Sequence, residues 1–188
     1  SERTGEADRA GRCALHGTQA WVALPRAVER CEPAFVHVAA ARLPECESGG
    51  VHIRMLAGAG FGLRSPLPVH SPMHYAEVHC QRGGSFELPC ELGQRAAYIV
   101  AGSVRCDGQR YEAGQLLVFS DAVPVALNLP SRCHLMLFGG HPLGEDRIIW
   151  WNFVATTTAA IDAARQRWAR GEFPAVPGDT GSMPMPEF

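Results

Sequence analysis

No Cys-x-x-Cys pair, no His-x-His pair and no apolar run of membrane length occurs in these 188 residues. The seven cysteines stand singly, which excludes a zinc ribbon or a thioredoxin-type motif. Scattered single cysteines fit small buried hydrophobes in a reducing cytosol better than a disulfide framework, so the expected compartment is cytoplasmic. A membrane span would need about 18 consecutive apolar residues, and none is found. A signal peptide would need an apolar stretch that Ser1-Glu2-Arg3-Thr4-Gly5-Glu6 does not begin. Basic residues form no block, and 17 Lys plus Arg against 19 Asp plus Glu leave a net charge of -2, which gives direct nucleic-acid binding no foothold. Gly58-Ala59-Gly60-Phe61-Gly62 lacks the Lys and the following helix of a phosphate loop. A Gly-x-Ser-x-Gly elbow is also missing, and no internal repeat of solenoid length is present.

What the chain does have is 46% hydrophobic residues, enough for a sizeable core, arranged mostly with the period of β-strands. Val51, Ile53 and Met55 alternate with more polar neighbours, and Met73–Cys80 does the same. Shorter strands are expected at 85–88, 96–100, 116–119, 123–129 and 134–138. Asp107-Gly108 between two apolar-alternating runs predicts a two-residue hairpin turn, which needs positive φ at both positions. Leu15 to Pro25 also reads as a strand, and residues 26–50 as a linker. Past Trp150-Trp151 the period changes. Ile161, Ala164 and Trp168 share one helical face, with Thr157 or Thr158 placed to cap its start and Gly171 its end. The tail from Phe173 is rich in Pro and reads as extended.

Several blocks resemble the pirin family in the same order. They are Leu15-His16-Gly17-Thr18-Gln19-Ala20-Trp21, Ser71-Pro72-Met73-His74-Tyr75-Ala76-Glu77-Val78, Ala97-Tyr98-Ile99-Val100-Ala101-Gly102-Ser103, Glu112-Ala113-Gly114-Gln115, Leu135-Met136-Leu137-Phe138-Gly139-Gly140 and Ile148-Ile149-Trp150-Trp151-Asn152-Phe153-Val154. The resemblance implies a bicupin. This chain would carry the edge of a first cupin and a linker over 1–50, a complete C-terminal cupin over 51–140, and a C-terminal helix and tail over 141–188. The fold class expected is all-β, a cupin (double-stranded β-helix) barrel with one α-helix and an extended tail. Trp21 and the Ile161/Trp168 face would then lose partners to the absent barrel.

Family members bind a single iron in the first cupin through three His and one Glu, the last two from a His-x-Glu stretch often followed by Arg-Thr. The opening Ser1-Glu2-Arg3-Thr4 makes Glu2 the match to the metal-binding carboxylate. The paired His would fall one residue upstream. The resemblance therefore implies iron (Fe2+) in the full-length protein and none held by these residues alone. It implies a quercetin 2,3-dioxygenase-like oxidoreductase acting on an aromatic, flavonol-like small molecule, inactive in this shorter form. The alternative is a non-enzymatic, iron-binding, redox-responsive partner of regulatory proteins. Inside the second barrel, His74, Cys80 and His134 are the candidate ligands, weighed against plain hydrogen-bonded core histidines. The family's second cupin usually lacks metal ligands, and an aromatic residue often stands at the position of His74.

Overall fold

The computed structural model describes residues 16–120, 123–175 and 183–186. The chain divides into two units, Arg30–Gly144 and Ser1–Glu29 together with Glu145–Phe188.

The larger unit is built from strands β1 (Glu45–Ser48), β2 (Val51–Gly60), β3 (Leu63–Arg64), β4 (Met73–Cys80), β5 (Gly84–Leu88), β6 (Gln94–Ala101), β7 (Ser103–Cys106), β8 (Gln109–Glu112), β9 (Leu116–Phe119), β10 (Val125–Leu129) and β11 (Cys133–Gly140). One sheet runs β1-β2-β4-β11-β6-β9, with β3 paired to β2; the other runs β5-β10-β7-β8. Every pairing is antiparallel. This corrects the expectation of a closed cupin barrel. Among the described residues no ladder joins the two sheets, and each ends in free rims: β1 and β9 in the larger, β5 and β8 in the smaller. The sheets are held together mainly by packed side chains, with isolated hydrogen bonds such as Ser85 N–H to the Gly49 carbonyl and Arg95 to the Leu88 carbonyl. Strand alternation sends one face of each into a single shared core of Val51, Ile53, Met55, Val78, Leu88, Ile99, Leu127, Leu129, Leu135 and Leu137, among others.

Local chemistry explains the turns. Asp107 and Gly108 take φ of 49° and 76° between β7 and β8, the left-handed pair that a two-residue hairpin turn needs. Residues 16–25 form no strand, contrary to expectation, and the supposed linker contains β1. Cys80, Cys106 and Cys133 are buried as small hydrophobes. Burial, and then the neighbouring Cys80, push the Cys133 thiol up to about 11, so it stays protonated and inert.

The open rims differ. On β9, Leu116 is exposed and Val118 is 76% exposed, and the chain contains no lysine, a residue that often guards such rims. Val118→Lys is expected to reduce self-association in concentrated solution, read by light scattering. Unchanged scattering would show that this rim does not pair with other copies.

The smaller unit holds β12 (Ile148–Trp150), β13 (Phe153–Ala155) and α1 (Thr158–Ala169). Trp151, with φ of 52°, turns β12 into β13. Thr157 caps α1 by accepting from the Ala160 N–H at 3.2 Å. At the other end the Gly171 N–H donates to the Trp168 carbonyl and the Glu172 N–H to that of Arg167, with Gly171 at φ 67°; together these form a Schellman stop. Trp168 is not left without partners, as was expected from the resemblance. Its ring meets Trp151 at 5.2 Å, Phe173 at 5.4 Å and Phe153 at 6.1 Å. Trp21 is exposed. The segment before Arg30 is fastened to this unit by the Glu29 carboxylate, which accepts from the Thr156 N–H and hydroxyl at 3.2 and 2.9 Å. Among the described residues no helix is long and apolar enough to cross a membrane.

Candidate metal centre

Alternation along β4 divides its side chains cleanly. His74, Ala76, Val78 and Cys80 are buried, while Tyr75, Glu77 and His79 point to the outer face. Register then decides what stands beside them. His79 lies opposite His52 of β2 on one side and His134 of β11 on the other, while Glu77 lies opposite Arg54 and Met136. The result is a polar row across three adjacent strands in the middle of the larger sheet.

Within it, Glu77, His79 and His134 converge. Glu77 Oε1 lies 3.0 Å from His79 Nε2 and 3.2 Å from His134 Nε2. The two imidazoles stack with centroids 4.1 Å apart and planes inclined by 21°. All three donor atoms fall within 4.8 Å of one another. The other carboxylate oxygen of Glu77 lies 3.3 Å from Arg54, which in turn pairs with Glu45 at 3.1 Å; Glu45 also holds His52 at 3.1 Å. Partial burial alone would raise the Glu77 carboxyl. The His79 hydrogen bond and the charges of His79, His134 and Arg54 outweigh it and hold the group below the usual carboxylate range. The carboxylate is therefore ionised at neutral pH and ready to meet a cation.

Of the candidate ligands singled out in the sequence that fall among the described residues, His134 joins this cluster and His74 and Cys80 do not. His74 and Cys80 face the core, whereas His134 is on the opposite face with His79, so the three do not form one site. The outward face of Glu77 and His79 was readable from alternation; the partnership with His134 depends on a long-range register and was not. Glu2 lies outside the described residues. His74 instead lines a cavity of about 480 Å³ with Arg64, His70, Glu91 and His141. His74 is buried, and among the described residues neither ring nitrogen reaches a hydrogen-bond partner. Burial, and then the charge of Arg95, lower its pKa to about 4, so the ring is neutral near pH 7.

Two imidazoles and one carboxylate are a donor set suited to a divalent first-row ion such as iron, nickel or zinc. A mostly β domain of two open sheets with an imidazole–carboxylate cluster on one outer face is thus the class that fold and site define. Residues 75–174 match the model of the pirin C-terminal cupin domain, and the chain belongs to the pirin family. It is 40% identical over 175 residues to a "Pirin-like protein" of Caulobacter vibrioides, covering 92% of this chain and 60% of that one. It is 28% identical to a "Putative quercetin 2,3-dioxygenase" of Pseudomonas aeruginosa, covering 84% of this chain and 50% of that one. The crystal structure of quercetin 2,3-dioxygenase from Acinetobacter baumannii superposes with a TM-score of 0.81 at 24% identity, over 89% of this chain and 57% of that one; this likeness concerns the fold alone. The chain therefore spans between half and three fifths of the length of these two curated relatives.

Proposed function

We propose that this chain is the C-terminal part of a metal-dependent oxidoreductase of the quercetin 2,3-dioxygenase type. The observation that carries the reading is the 28% identity to the Pseudomonas aeruginosa protein so named, over 84% of this chain. In this reading Glu2 is the carboxylate ligand of an iron whose histidine ligands lie in an upstream segment. Bound iron would supply a Lewis acid for the substrate's vicinal oxygens and a centre for dioxygen chemistry. The Glu2 carboxylate would be one of the ligands holding that centre. The larger unit would act as a rigid support, since its core is a single packed cluster.

The test is oxygen uptake with quercetin by a chain extended upstream to include the paired histidine and loaded with Fe2+. Glu2→Gln is expected to cut the rate by more than about 100-fold, since even residues that only orient ligands are worth about 10–100-fold. Full activity of that variant would remove Glu2 from the site. Iron binding without oxygen uptake would favour the iron-binding regulatory partner instead, and a flavonol would not then be the ligand.

A further inference from the structure

We propose that Glu77, His79 and His134 form a metal site of their own on the outer face of the larger sheet, selective for divalent transition ions of the zinc or nickel kind. It is independent of the position proposed for Glu2 and of any reaction with a flavonol.

The first argument is geometric. Glu77 and His79 are two residues apart on one strand face, and His134 is the cross-strand neighbour of His79. All three ride on β4 and β11, central strands paired on both sides, so the backbone positions are fixed before any ion arrives. In a tetrahedral zinc site with bonds near 2.0–2.1 Å, neighbouring donors stand about 3.3 Å apart. The carboxylate-to-imidazole separations here are 3.0 and 3.2 Å. An ion can enter without change of strand register once the two rings, stacked at 4.1 Å, rotate so that both Nε2 lone pairs converge on it.

The second argument is chemical. Both Nε2 atoms lie within 3.2 Å of one carboxylate oxygen, so the site already gathers three potential donors around one point. Binding requires each imidazole to present a bare Nε2, its remaining proton on Nδ1. Arg54 is the competing cation, but it approaches the other oxygen of Glu77 and is shared with Glu45. Arg54 is offset by two carboxylates in the row, Glu45 and Glu77, which favours a cation. Arg54 also sets a ceiling on affinity, since its charge repels the ion. The side chains are 21 to 37% exposed while His134 Nε2 itself is buried, so an ion would reach the site from the more exposed His79 side.

The test is a titration of the 188-residue chain with Zn2+ at neutral pH, by calorimetry and by competition with a chromophoric chelator. One ion per chain is expected. His79→Gln and His134→Gln should each weaken binding by about tenfold or more, judged against the effect of ligand-orienting groups. Glu77→Gln should weaken it as well and alter the visible absorption of the Co2+ form, while His70→Gln and His141→Gln leave both unchanged. Circular dichroism of each variant shows whether it is folded. Uptake of no zinc, or a stoichiometry and affinity unmoved in a folded His79→Gln/His134→Gln double variant, would overturn the proposal and leave the three residues as a hydrogen-bonded cluster only. Because quercetin plays no part in the titration, its result stands apart from the oxygen-uptake test.

Discussion

Arg95→Ala is expected to destabilise the larger unit by about 2–6 kcal/mol, from backbone carbonyls that lose their donor and from the cavity left behind. Arg95 is 1% exposed. Its guanidinium donates to three backbone carbonyls, those of Leu88 at 2.6 Å, Val123 at 2.8 Å and Ser120. One side chain therefore ties the end of β5 to the segment between β9 and β10, which joins the two sheets where no ladder does. Removing it leaves the Leu88 carbonyl without its donor and opens a cavity the size of a long side chain, and each effect alone costs about 1–3 kcal/mol. Arg95→Lys should recover part of the loss, because an ammonium reaches fewer of these acceptors than a planar fork does. Urea midpoints with unchanged slopes would measure it. A loss below about 1 kcal/mol would mean that water replaces the guanidinium at little cost.

The second large effect is a dependence on pH through His74. Its folded-state pKa of about 4 lies below the ordinary value of 6.5. Between those two values the unfolded chain binds a proton that the folded chain refuses, so stability is fully present above pH 6.5 and falls as the pH drops toward 4. The two values correspond to about 3 kcal/mol. His74→Phe should flatten this part of the acid limb. It should also add about 1–3 kcal/mol near pH 7 by removing two buried polar atoms without partners, less any strain from the larger ring. That strain has a definite location. Gly139 sits opposite His74 on one side and Arg95 on the other, and a Cβ there would come 2.8 Å from His74 Cε1. The slope of stability against pH is the cleaner reading, since packing strain shifts the curve without bending it. An unaltered acid slope in the variant would show that the ring finds its proton without cost.

Sequence pattern revealed strands that carry their own signal. Met73–Cys80 and Leu116–Phe119 were readable to the residue, because alternation and flanking turns are local properties. Glu45-Cys46-Glu47-Ser48 was not, since nothing in that composition favours a strand; it becomes one by pairing with β2. The opposite error occurred at Trp21-Val22, where β-favouring residues find no ladder among the described residues. Closure of the sheets was equally out of reach, because the same alternation serves an open sandwich and a barrel. For the candidate site, the shared face of Glu77 and His79 followed from alternation. His134 joined them only through the β4–β11 register, which no local pattern encodes.

The strand order carries a consequence for how the molecule is assembled. β11 is the last strand of the larger unit to be made, yet it lies between β4 and β6. Until Cys133–Gly140 has been made, β4 and β6 lack the partner strand they share. Folding must then wait for a strand to insert between partners that already exist. Such non-local pairing belongs to the slow, millisecond-to-second regime. A slip of one residue during that insertion would turn His134 into the core and Leu135 out to solvent. The meeting of His134 with His79 thus marks the moment at which the nascent chain has found its correct alignment.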